Sequence, residues 1–395
     1  MARFAGGKAP FLRISEQPNQ GTSTIMRDFM IGLTPLILFS WIKNGLLVYL
    51  DGNSNFLEML YPLFFIFVGG LSSMLMEAIF FYFTDKEART LKPLMKKLST
   101  SYALIPGLIL ALMLPMYTPI WVLMFGTFMG NIIGKMIFGG FGHNIWNPAL
   151  VGYVVIKFSL MGIVNGAGGY LNPSEVLIDA YAGATPLSMF SVDKVLSYDA
   201  IVKPYGSLWS FFIGLTPGGI GETSALALLV TYLWLSFRKV IKWFTPLIYV
   251  GTVFVLSWLI GVIVGDAGLW FPTYSILSGG LMFGAVLMIT EPVTTPKNPL
   301  GKVYLALMLG VLTVLFRYVG ELPEGVASSI FVMNIFAMPV DKYTAIIRAN
   351  RWRKPVLGKV ALLTGLLLVI GFYAVFKAGK LYTLLLPIFQ TGGLS

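Results

Sequence analysis

Apolar runs of about twenty residues, separated by short charged or Gly/Pro-rich stretches, fill most of this 395-residue chain and limit what it can become. Inside a bilayer no water is available to the backbone, so each run must satisfy its own N–H and C=O groups as a helix. The pattern predicts ten or eleven crossings, at 28–49, 62–83, a short 102–114, 120–138, 148–164, 208–237 (broken by Pro217-Gly218-Gly219-Ile220-Gly221), 244–264, 274–290, 303–319, 326–338 and 357–376, with the Gly/Pro breaks expected inside the bundle. The expected fold class is therefore an all-α polytopic membrane protein. Residues 1–27 read as a polar arm, 28–355 as the transmembrane domain, and 356–395 as an additional C-terminal transmembrane segment. Only 11% of residues are charged, against about 25% in soluble domains, which leaves no room for a soluble domain of ordinary size. The first 27 residues hold no apolar core of the kind a cleavable signal peptide needs.

The distribution of positive charge gives the expected orientation. With the amino terminus inside, 21 of the 28 Lys and Arg residues fall on the inner side, and the rest lie outside or within spans. The net charge of +11 thus reads as a topology signal for a cell membrane protein with a cytoplasmic amino terminus, and not as a nucleic-acid surface. This topology puts the longest polar interruption, residues 165–206, outside. The chain has no cysteine and one histidine, His143, so cysteine-ligated zinc, iron–sulfur clusters and paired haem ligands are excluded. Any redox centre carried here must be organic.

The outer interruption contains Asp179-Ala180-Tyr181-Ala182-Gly183-Ala184-Thr185-Pro186. Small residues before Thr185 leave space around its hydroxyl, and Pro186 fixes the backbone beyond it. The segment resembles Asp-x-x-Ser/Thr-Gly-Ala-Thr, the acceptor on which flavin transferases build a phosphoester-linked FMN, with Ala182 where the pattern has a hydroxyl. This resemblance points to the family that holds the D-type membrane component of the Rnf ferredoxin:NAD+ oxidoreductase and the B-type component of the sodium-pumping NADH:quinone oxidoreductase. The loop Gly139-Gly140-Phe141-Gly142-His143-Asn144-Ile145-Trp146-Asn147-Pro148-Ala149 is similar to that family's Gly-Gly-x-Gly-x-Asn-x-x-Asn-Pro-Ala. Gly284-Ala285 through Glu291-Pro292-Val293-Thr294 is similar to its Gly-Ala to Asp/Glu-Pro-Val-Thr stretch. Arg317-Tyr318, Pro323 to Ala327, Met333-Asn334 and Asp341 to Thr344 resemble the Rnf type more closely.

The resemblance implies a membrane subunit of an ion-translocating complex, passing electrons through FMN on Thr185, with Asp179, Gly183 and Ala184 shaping the acceptor. It also implies a second, non-covalent flavin (riboflavin or FMN) near Asn144 and Asn147, unless those amides only cap the helix opening at Pro148. Implied partners are further membrane and peripheral subunits, a second FMN-bearing one among them, a flavin transferase for maturation, and Na+ or H+ as coupling ion. The family fold has two inverted halves with broken helices, related to the urea channel. The sequence echoes this in Pro115-Met116-Tyr117-Thr118-Pro119 and Pro292-Val293-Thr294-Thr295-Pro296, expected on opposite sides of the membrane. The B-type component of the sodium-pumping enzyme is the alternative within the family. A small-solute channel or secondary transporter would use the same broken helices but has no need of the acceptor segment.

Other residues divide between bland and functional roles. Glu291 and Glu222 read as helix punctuation or as part of an ion path. Lys157, mid-span, reads as a residue that faces the bundle interior or a cofactor, or one that snorkels. His143 reads as a loop residue.

Overall fold

The structure is a computed structural model and describes residues 21–168, 196–266, 268–320, 325–349 and 354–391. Among the described residues every regular element is helical. Seven helices among these residues are long and apolar enough to cross a membrane: α1 (Thr22–Leu50), α2 (Phe56–Thr84), α6 (Pro148–Gly166), α9 (Phe244–Val264), α12 (Pro299–Tyr318), α13 (Gly325–Ala349) and α14 (Lys354–Thr391, apolar over Ala361–Thr383). Shorter pieces complete the bundle: the amphipathic α3 (Leu91–Ser101), α4 (Leu104–Met113), α5 (Ile120–Met136), α7 (Leu208–Ile213) and α8 (Ala225–Phe237). The run expected at 274–290 as one crossing is instead two helices, α10 (Trp270–Leu277) and α11 (Leu281–Met288), bent by 62°. Ser278-Gly279-Gly280 supplies the hinge, with Gly279 at φ +63°, a conformation that glycine adopts without strain.

Lipid tails are as apolar as leucine, so these helices associate through close packing at small residues. Gly69 of α2 and Gly107 of α4 face each other so closely that a Cβ on either would run into the other's carbonyl. Gly126 of α5 and Gly152 of α6 pack closely too, and Gly310 of α12 leaves room for Thr252 of α9. The last helix docks through its own small residues: Gly379 sits against Ile263 of α9, and Ala374 and Ala378 are buried.

The three Gly/Pro breaks lie inside the bundle, as the sequence predicts. Residues 114–119, 214–224 and 289–298 are non-helical, and Thr118, Thr216, Glu222, Thr223, Thr294 and Thr295 within them are buried. Their backbone groups find partners across the bundle. Ile220 N–H donates to Leu114 O (3.1 Å) and Gly221 N–H to Leu112 O (2.8 Å), tying the first break to the second. Ser40 Oγ donates to Ile220 O (2.8 Å), and Lys43 Nζ to Thr216 O (2.5 Å) and Thr223 Oγ1 (3.2 Å). At the α10–α11 hinge the buried Arg317 donates to Ser275 O (2.7 Å) and Ser278 O (3.1 Å), satisfying carbonyls that the interrupted helix leaves open.

Among the described residues four stretches are wound as π-helix, at Ile42–Leu46, Met129–Met136, Ile156–Leu160 and Gly284–Met288. Three of them carry a lysine: Lys43, Lys135 and Lys157. Such bulges recur at functional sites. Lys157 is half-buried, not enclosed, so the bundle-interior role falls to the other two.

The glycine contact between α2 and α4 generates a prediction. Gly107→Val forces the two backbones apart and should destabilise the purified chain by about 1–3 kcal/mol. Gly162→Val, where a Cβ meets nothing within 4 Å, is the comparison. Equal thermal unfolding midpoints for the two variants would contradict this packing.

Candidate functional site

The polar core of the first half begins with Glu77, two turns from the end of α2 and 0% exposed. A lone carboxylate there would be prohibitively desolvated, and Lys135 of α5, 2% exposed, compensates it at Nζ–Oε1 2.6 Å. Ser101, the last residue of α3, completes the arrangement. Its hydroxyl donates to Glu77 Oε2 (2.5 Å) and its carbonyl accepts from Lys135 Nζ (2.7 Å). One turn deeper, Asn131 Nδ2 donates to Ser73 Oγ (2.6 Å), which donates in turn to Ala103 O. Tyr102, directly after Ser101, adopts the left-handed region at φ +52°, uncommon for a residue with a side chain; the turn delivers Ser101 to the pair.

Lys135 also faces a second carboxylate. A cleft of about 50 Å³ is lined by Lys135, Ser101, Tyr102, Phe141, Asn144, Asn147 and Glu291, among others. Glu291 lies in the connection between α11 and α12, outside the spans. Its Oε2 accepts from Thr294 Oγ1 (2.8 Å) and its Oε1 from Asn144 Nδ2 at 3.4 Å. Burial pushes the Glu291 carboxyl up to about 7; the bonds from Thr294 and Asn144 and the charge of Lys135 oppose that shift without cancelling it. One carboxylate is thus locked to a lysine, while its neighbour changes charge near neutral pH.

Asn147 caps α6, its side-chain oxygen accepting from Ala149 N–H (3.0 Å) and Leu150 N–H (3.3 Å). Asn144 Nδ2 donates to Trp146 O (2.9 Å), and Trp146 is fixed by stacking on Phe331 (centroids 5.3 Å) and by Nε1 donating to Phe331 O (3.1 Å). The two amides therefore serve the loop and its helix while also lining the cleft. At about 50 Å³ the cleft has room for a few waters or a partly hydrated ion, and not for the ring of a flavin in this conformation. His143 is an exposed loop residue. Glu222 accepts from Gly219 N–H (3.2 Å) inside the 214–224 break, and Ser224 caps α8.

Asp179, Gly183, Ala184 and Thr185 lie outside the described residues. Lys135, one of the 21 cations counted on the inner side, is buried, and Glu77 holds it there. The Glu77–Lys135 pair escaped the sequence reading. Its signal was an acid within the apolar run of α2, and an ionisable group inside a span suggests function by default. No group of three or more His, Cys, Asp or Glu residues able to hold a metal occurs among the described residues.

Comparison with known proteins adds to this geometry. The family described as NQR2, RnfD, RnfE matches residues 9–349, so its match stops before α14. The chain is similar to the D-type component of the proton-translocating ferredoxin:NAD(+) oxidoreductase complex of Clostridium ljungdahlii, 31% identical over 86% of this chain and 94% of that protein. It is 33% identical to the D-type component of the ion-translocating oxidoreductase complex of Stutzerimonas stutzeri, over 64% of this chain and 76% of that protein. It is also similar to the B-type component of the Na(+)-translocating NADH-quinone reductase of Chromohalobacter salexigens, 34% identical over 63% of this chain and 59% of that protein.

The two carboxylates can be tested separately. Lys135→Met strands a buried charge and should cost about 3–5 kcal/mol in unfolding, whereas adding Glu77→Gln should recover most of it. A double variant no more stable than Lys135→Met would show that the pair is not coupled. For Glu291 the folded-state pKa lies above the ordinary carboxylate value. Its contribution to stability is therefore complete below about pH 4.5 and is lost as the pH rises through about 7. Unfolding midpoints across this window should fall in the wild type, and the fall should shrink in Glu291→Gln.

Proposed function

Because the chain belongs to the NQR2, RnfD, RnfE family, we propose that it is the D-type membrane component of an ion-translocating ferredoxin:NAD+ oxidoreductase, carrying FMN on Thr185 and coupling electron flow to Na+ or H+ movement. The acceptor segment Asp179 to Thr185 supports the covalent flavin. Bound there, FMN would supply one-electron transfer at the outer face. Thr185 would hold it by a phosphoester, so that the cofactor stays with the protein outside the cell membrane. Other subunits, one bearing a second FMN, would deliver and remove electrons, and a flavin transferase would attach the group. The long match to a ferredoxin:NAD(+) oxidoreductase component supports this reading over the NADH:quinone alternative. Family membership disfavours a plain solute channel.

The coupling half of the proposal rests on one observation: a cleft that places Glu291 beside Lys135, the partner of the buried Glu77. A cation entering the cleft meets Glu291 first, which can neutralise it or take up a proton. Lys135 prevents Glu77 from competing while the pair is intact, and separating the pair would open a second carboxylate deeper in the bundle. The cytoplasmic amino terminus belongs to this proposal too, on the charge asymmetry. So do the inverted halves. Their support is that α5 and α11 both end in π-wound turns and lead through a loop to an Asn-Pro helix start, Asn147-Pro148 and Asn298-Pro299. A second, non-covalent flavin beside Asn144 and Asn147 would require Phe141 and Tyr102 to part.

The test is the intact mass of the chain coexpressed with a flavin transferase, together with in-gel flavin fluorescence. The wild type should carry one covalent FMN. Thr185→Ala should lose both signals and, as loss of one hydroxyl from a polar interruption of the sequence, change unfolding by no more than about 0.5 kcal/mol. An unmodified wild-type mass, or fluorescence that survives Thr185→Ala, refutes the attachment.

A further inference from the structure

Beyond the 289–298 connection lies a second, wider cleft of about 820 Å³ that the redox reading does not use. Five cations line it: Lys239 and Lys242 from the turn after α8, Lys297 and Lys302 around the start of α12, and Arg348 of α13. They come from three separate stretches of chain, so tertiary structure alone gathers them. Lys242 lies close enough to Lys302 to act on it electrostatically. The one acid among the described lining residues, Asp341, accepts at Oδ1 from Asn298 N–H (2.7 Å) and attracts Lys297 and Lys302. One carboxylate cannot balance five cations, and like charges collected around one space call for an anion.

The uncharged lining groups agree. The cleft holds the amino-terminal end of α12, twenty residues long, whose first N–H groups and dipole favour negative charge. Asn298 spends its side-chain oxygen on Leu300 N–H (3.3 Å) and leaves Nδ2 as a buried donor without a hydrogen-bond partner. Thr245, only 2% exposed, also lines the cleft, and its hydroxyl has no partner. Lys239 is held in the left-handed region at φ +59°, a helix-end position where glycine is usual, yet a cation stands there.

We propose that this cleft binds a phosphate group, carried either by an anionic membrane lipid or by a soluble phosphate ester. The cations supply long-range attraction, and the α12 start with Thr245 and Asn298 supplies the short donors that a tetrahedral oxyanion can accept. A carboxylate would use fewer of these donors, and a neutral headgroup would leave the charge uncompensated.

The experiment uses the full chain purified in neutral detergent, with ligand retention followed by native mass spectrometry. Phosphatidylglycerol is titrated against phosphatidylcholine of the same acyl chains, and inorganic phosphate and free FMN serve as soluble competitors. Phosphatidylglycerol should bind at least about tenfold more tightly than phosphatidylcholine. Lys242→Gln with Lys302→Gln should weaken it about thirtyfold, while Lys242→Arg with Lys302→Arg stays within about threefold. Lys92→Gln with Lys96→Gln, on the exposed face of α3, should leave it unchanged. Displacement of the lipid by free FMN or phosphate would assign the site to a soluble ester, and retention would assign it to the lipid; both support a phosphate site. The proposal is overturned if phosphatidylcholine binds equally well or if the glutamine pair binds like wild type. The arginine pair covers the case in which the glutamine pair does not fold.

Discussion

Every departure from regular helix in this bundle must have its backbone hydrogen bonds met by protein, because lipid offers none. That constraint governs the placement of the breaks. Residues 114–119 and 214–224 could not exist singly at membrane depth; they exist because Leu112 and Leu114 carbonyls receive the N–H groups of Gly221 and Ile220. Lys43, Ser40 and Arg317 do the same work with side chains at neighbouring interruptions. The non-helical backbone is thereby drawn together in the interior. The glycine contacts between α2 and α4 and between α5 and α6 then set how closely the surrounding helices approach.

The same logic extends to charge. Glu77 and Lys135 are tolerable in the core only as a pair completed by Ser101, and removing one partner would expose the full desolvation penalty of the other. Glu291, one loop away, has no salt-bridging partner at hydrogen-bond distance among the described residues, and its burial moves its titration toward neutral pH. Two carboxylates in adjoining environments therefore differ in what they can do. One is fixed to a buried lysine, and the other can exchange charge with whatever enters the cleft. The basic cleft beyond the 289–298 connection adds a third electrostatic environment, in which cations outnumber acids.

The sequence determined the class of fold and most of its punctuation. Apolar runs of bilayer length admit only helices, so α9 is read at its observed bounds of Phe244–Val264 and several others lie close to theirs. Gly and Pro clusters marked the breaks, since those residues weaken or end helices wherever they stand. Asn147-Pro148 announced a helix start, and Asn147 is the cap. The bend between α10 and α11 was missed because Ser278-Gly279-Gly280 interrupts the hydropathy too briefly to show.

Tertiary structure alone decided which polar residues meet. Glu77 and Lys135 are 58 positions apart, and Asn144 and Glu291 are 147 apart, so no local periodicity links either pair. Charge counting assigns Lys135 a side of the membrane but not its surroundings, because a lysine near a span's end looks the same in sequence whether it faces water or a buried acid. The five cations of the second cleft likewise read along the chain as three unrelated basic patches. Hydropathy is a property of each segment and can be read along the chain. Compensation of a buried charge is a property of two segments, and it exists only once they have packed.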